Sequence, residues 1–80
     1  MEDRIIDLIE CLSQIETDDS VPKNIREKIR SAMNALGGEK DFKIRANQAL
    51  QELDDISDDP NVPSYVRPQI WNVVSMLEGF

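Results

Sequence analysis

The sequence predicts an all-α fold: a four-helix up-and-down bundle made of two duplicated helical hairpins, repeated at an offset of 41 residues within one domain spanning residues 1–80. Three observations predict it. Apolar residues recur at spacings of three and four in four separate segments, which places them on one face of each helix. The segments are joined by short polar connections, which favour antiparallel neighbours. The chain also aligns with itself without a gap. Residues 2–39 laid on residues 43–80 give ten identities in 38 pairs, where ordinary residue usage gives roughly two or three.

The first helix is carried by Ile5, Leu8, Ile9, Leu12 and Ile15. The second follows "VPKNIREKI" and carries Ile25, Ile29, Ala32, Met33 and Leu36. Pro22 marks its start, because a proline in the first helical turn lacks an N–H that would have had no partner there. The preceding "ETDDS" supplies side-chain oxygens for the free N–H groups of that turn. Val21 stands four residues before Ile25, close to the spacing of a hydrophobic staple. Gly37 and Gly38 end the helix, since glycine tolerates a left-handed cap.

The third helix carries Phe42, Ala46, Ala49, Leu50, Leu53 and Ile56, and the fourth Val66, Ile70, Val73, Val74 and Leu77. "VPSYVRPQI" repeats the earlier phrase, so Pro63 marks a second helix start, preceded by "SDDPN" and stapled by Val62. Pro68 departs from the repeat. Its missing N–H would have bonded back to Ser64, so the fourth helix starts loosely or bends there.

Composition narrows the function. The net charge of -7 and calculated pI near 4.4 disfavour nucleic acid and anionic membrane surfaces as partners, because phosphate binding draws on clustered Lys and Arg. A nucleic-acid reading would rest on Lys23, Arg26, Lys28 and Arg30. No apolar run approaches the roughly 20 residues of a membrane span. The acidic amphipathic opening is unlike a signal peptide. With Cys11 as the single cysteine and no internal disulfide to form, a cytoplasmic location is expected.

The absence of histidine excludes nucleophile–His catalysis and His-bearing zinc sites within one chain, and there is no glycine-rich phosphate loop. No catalytic residue, cofactor or metal ligand is therefore assigned, and a non-enzymatic protein is expected. Cys11, at the edge of its apolar stripe, reads as a half-buried passive thiol. The acidic groups Glu16, Asp18, Asp19 and Asp54, Asp55, Asp58, Asp59 supply the oxygen ligands hard cations prefer, and give an alternative function as a divalent-metal or small-ligand site. Capping accounts for the same residues, and neither group has the spacing of a calcium loop. The repeated Asp18 with Arg26 and Asp59 with Arg67 are expected to form two equivalent structural pairs.

The self-alignment also isolates apolar side chains that the shared core does not require. Trp71 falls opposite Arg30, Tyr65 opposite Asn24, Phe80 opposite Glu39, Ile44 opposite Asp3 and Ile6 opposite Asn47. Trp71 projects roughly 120° from the centre of its helix's apolar stripe. These five form a candidate interaction surface, for a homodimer or for another protein. The other reading of Trp71 folds its indole over a neighbouring helix of the same bundle.

Two resemblances extend this. The unit "ISDDPNVPSYVRPQIWNVVSML" resembles a HEAT-type helical hairpin repeat, which implies scaffolding for protein binding. Through "IIDLIECL", "VPKNIREKIRSAMNALG", "RANQALQELDDISDDPNVP" and "VRPQIWNVVSMLE", almost the whole chain resembles the archaeal uncharacterised protein family 0147. That resemblance implies a four-helix bundle with no assigned activity and brings no site residues with it.

Overall fold

In the computed structural model, which describes residues 2–79, helices α1 (Glu2–Glu16), α2 (Lys23–Leu36), α3 (Phe42–Ser57) and α4 (Arg67–Glu78) follow one another in the order the periodicity predicts. No strand occurs among the described residues. Each helix turns its apolar stripe inward. Leu8, Leu12, Ile25, Ile29, Ala32, Leu36, Ala49 and Leu53 are wholly removed from solvent, and the staple residues Val21 and Val62 are buried with them. No polar side chain is buried among the described residues, so the core is held by apolar burial and dispersion.

The helices form a closed ring. α1 packs on α2 and α4, α3 packs on α2 and α4, and the backbones of the diagonal pairs do not approach closely. Neighbours run antiparallel. Arg45 at the start of α3 meets Leu36 at the end of α2, while Lys28, earlier in α2, meets Asp55 near the end of α3. Contact of α1 with α4 closes the ring, which distinguishes this bundle from an open HEAT-type stack whose units touch only their sequence neighbours. Packing is most extensive between α2 and α3 and thinnest along α4.

Several end signals act differently from the sequence expectation. Pro22 immediately precedes α2, and its carbonyl accepts the Arg26 N–H at 3.0 Å. Pro63 does not begin α4. It opens a turn closed by the Val66 N–H on the Pro63 carbonyl at 2.9 Å, and the α-helix starts at Arg67 with Pro68 in its first turn. Pro68 dictates this: it has no N–H for Ser64, so regular helix bonds begin only at Ile70 on Val66. Neither α2 nor α4 has a side-chain N-cap bond.

Gly37 takes no left-handed cap either; its φ is -84°, and no described residue has positive φ. Gly37 and Gly38 still close the last turn through their N–H groups on the Met33 and Ala35 carbonyls, and Arg45 adds Nη1 on the Leu36 carbonyl at 2.8 Å and Nε on the Lys40 carbonyl at 2.7 Å. The side chain satisfies a last-turn carbonyl that these backbone bonds leave over.

Candidate functional site

The two connections within the hairpins make the same local bonds. Asp18 N–H bonds to the Ile15 carbonyl and Val21 N–H to the Asp18 carbonyl; Asp59 and Val62 repeat this on Ile56 and Asp59. Each aspartate accepts the N–H two residues on, Ser20 on Asp18 Oδ1 at 2.9 Å and Asn61 on Asp59 Oδ1 at 2.8 Å. These are Asx turns, the local bond that aspartate offers in preference to helix. Here the acidic residues order the loop itself.

With the carboxylates used this way, one expected Asp–Arg pair forms by another route and the two are not equivalent. Arg67 reaches Asp59 through its backbone: Nη2 donates to the Asp59 carbonyl at 2.9 Å and Nη1 to the Ser57 carbonyl at 3.2 Å. Arg26 lies not on Asp18 but 3.8 Å from Asp19, and its Nε is buried without a partner. Asp18 Oδ2 is taken by Tyr65, whose hydroxyl donates to it at 2.7 Å. This bond ties the first hairpin connection to the second across 47 residues of sequence.

The Tyr65 hydroxyl, then the Ser20 N–H, hold the Asp18 carboxyl below its ordinary range, and the same carboxylate pushes the Tyr65 phenol up. The signs are opposite. A depressed carboxyl stabilises the fold above its unfolded pKa, about 3.9, and that contribution is lost as pH falls through the folded value. A raised phenol stabilises below its unfolded pKa, about 10, and the contribution is lost as pH rises through the folded value. Tyr65→Phe is therefore expected to melt below wild type at neutral pH, with the two curves converging at both pH extremes. Thermal unfolding across pH measures this; a constant offset would exclude the Tyr65–Asp18 bond as the cause.

The basic residues that a nucleic-acid reading would use stand beside carboxylates. Arg30 bonds Glu16 at 2.9 Å, Lys28 lies 3.0 Å from Asp55 and 3.3 Å from Glu52, and Lys23 lies 3.9 Å from Glu27. Among the described residues, no three His, Cys, Asp or Glu side chains group as a metal would require. Cys11 is exposed, not half-buried, at a small cleft shared with Gln14, Gln69 and Asn72.

The surplus apolar residues do stand outside the core. Trp71 is 56% exposed, Ile6 54%, Tyr65 51% and Ile44 45%, so the indole does not fold over its own bundle. Phe80 lies outside the described residues. Ile6, Ile44 and Trp71 stand on three different helices. The face that stands out belongs to α4. From Pro68 to Leu77 the chain carries no charge, although 31% of its residues are charged. Pro68, Gln69, Trp71, Asn72, Ser75 and Met76 make the exposed side of this stretch. Sequence reasoning missed Met76, 38% exposed, because its counterpart Ala35 is also apolar and the comparison of the two halves gives no signal there.

Two apolar grooves flank the helices at one end of the bundle. One is lined by Ile5, Ile6, Ile9, Leu36 and Gly37 with Arg45. The other, of about 480 Å³, is lined by Phe42, Lys43, Ala46, Asn47, Leu50, Leu77 and Glu78. Five residues of the first fall on five of the second at the offset of 41 positions. No described helix is long and apolar enough to cross a membrane.

Comparison with known proteins agrees with this fold. The family model of the Uncharacterised protein family (UPF0147) matches residues 1–80. A UPF0147 protein of Saccharolobus islandicus is 43% identical over 81 residues, covering 96% of this chain and 88% of that one. One of Pyrococcus abyssi is 41% identical over 80 residues, covering 98% and 93%. The crystal structure of a protein of unknown function, MMP1188, superposes with a TM-score of 0.96 at 42% identity, covering 99% of this chain and 91% of that chain. The chain thus belongs to the Uncharacterised protein family (UPF0147).

Proposed function

We propose that this protein is a non-enzymatic, cytoplasmic module that works through protein–protein contact, with α4 as its contact face. One observation carries the reading: Trp71 stands 56% exposed on the longest uncharged stretch of a highly charged chain. Interface centres are depleted of charge and enriched in Trp and Met, and this face offers both Trp71 and Met76. Because α4 is the helix least covered by its neighbours, a partner there would complete its packing.

The same reading takes the chain as one hairpin duplicated and then diverged. The ten aligned identities, the matching loop bonds and the two equivalent grooves support it. The divergence falls on the contact face. Arg30, engaged with Glu16, is replaced in the second copy by Trp71, which is more than half exposed.

Sizing of a cell lysate tests the proposal. Wild type is expected to elute in an assembly larger than its 9.1 kDa, and Trp71→Glu as the free chain with unchanged melting. Elution of wild type as the free chain would contradict it.

A further inference from the structure

We propose that the partner on α4 is a second copy of this chain, seated antiparallel so that α4 meets α4 of the other copy about a two-fold axis. The inference rests on the protein-contact reading above and adds the identity and orientation of the partner.

Charge carries it. Two copies at -7 each repel, so the favourable place to join them is a face free of like charges, and Pro68 to Leu77 is the longest such stretch. In a two-fold contact every residue near the axis meets its own kind, so a charged centre would oppose itself. The centre of α4 is neutral. Its two charges lie at opposite ends and have opposite sign, Arg67 at the first residue and Glu78 at the last. Antiparallel pairing brings Arg67 of each copy level with Glu78 of the other; parallel pairing would set like on like.

Helical spacing places these groups together. Arg67, Trp71, Ser75 and Glu78, at intervals of four, four and three, form one stripe on the side that borders α3, where Glu78 lines the groove with Phe42 and Leu50. Arg67 level with Glu78 of the second copy sets Trp71 close to exposed Ser75 of that copy, a large side chain against a small one. Arg67 spends one N–H on each of the Ser57 and Asp59 carbonyls and keeps others for a carboxylate. A 12-residue helix is about 18 Å long, so this interface lies at the small end of the range and the dimer is concentration-dependent.

Disulfide trapping in the Cys11→Ser background tests the orientation. Asn72→Cys, next to the axis, is expected to cross-link with itself. Glu78→Cys is not, because its two copies stand about 16 Å apart along the helix, beyond the roughly 7 Å between Cα atoms that a disulfide spans. Cross-linking of both would mean parallel pairing and would overturn the proposal, as would cross-linking of neither or of Glu78→Cys alone. Sedimentation of the purified full-length chain is expected to show a dimer that Trp71→Ala abolishes and Glu78→Lys weakens about five-fold or more. A purified monomer at every concentration would overturn the second-copy proposal while leaving the lysate experiment to decide protein contact in general.

Discussion

Leu53→Ala is expected to lower the free energy of unfolding by about 2–5 kcal/mol, with the denaturant midpoint falling and the slope unchanged. Leu53 is wholly buried on α3, the helix that packs on both α2 and α4, so its loss leaves a cavity at the junction of three helices. An 80-residue chain has little to spare, since folding hides only about 60% of the unfolded surface at this size. A substantial unfolded population follows. The control is Leu50→Ala, at a half-buried position on the same helix, with a smaller expected effect. Equal losses at the two sites would contradict the assigned core.

Arg67→Ala is expected to cost about 1–3 kcal/mol, because it leaves the Ser57 and Asp59 carbonyls without their donor where the chain leaves α3. Arg26→Ala, at the matching position of the first hairpin, is expected to cost less, because no carbonyl loses a donor there. Its guanidinium stands 3.8 Å from exposed Asp19 and attracts the Asp18 carboxylate through space. Chemical denaturation of the two variants separates carbonyl capping from symmetric Asp–Arg pairing. Similar losses would mean that both arginines do equivalent work, as the sequence expectation had it.

What the sequence made legible is what local physics decides. The periodicity of Leu8, Leu12 and Ile15, or of Ile70, Val73 and Leu77, needs only a helix and a core, and all six residues are buried. The anchors at Val21 and Val62 were readable for the same reason. What escaped depends on residues far apart in sequence competing for one atom. Asp18 had three claimants, the α2 N-terminus, Arg26 and its own loop, and sequence spacing does not rank them. In the structure the loop N–H of Ser20 takes one oxygen, and Tyr65, remote in sequence, takes the other. Arg45 at the end of α2 escaped similarly, because two glycines offered a left-handed cap that the chain does not adopt, and Arg45 meets Leu36 only in the folded bundle.

The contact face was half legible. Comparing the two halves of the chain singled out Trp71, Tyr65, Ile44 and Ile6, all of which are exposed. It had no means of ranking them, because exposure and neighbourhood are tertiary properties. Tyr65 spends its hydroxyl inside the molecule, while Ile6 and Ile44 stand on α1 and α3. Trp71 alone shares its helix with a second exposed apolar side chain and an uncharged surround.

Trp71 is also the only tryptophan in the chain, which makes the contact face its own reporter. The most direct measurement is the emission of this indole in the purified wild type as a function of protein concentration. The expected result is a solvent-exposed spectrum at high dilution that shifts to the blue as the α4 faces pair and bury the ring, with Cys11→Ser behaving identically. An emission that stays solvent-exposed up to the highest concentration, in a chain that sediments as a monomer throughout, would contradict pairing through α4.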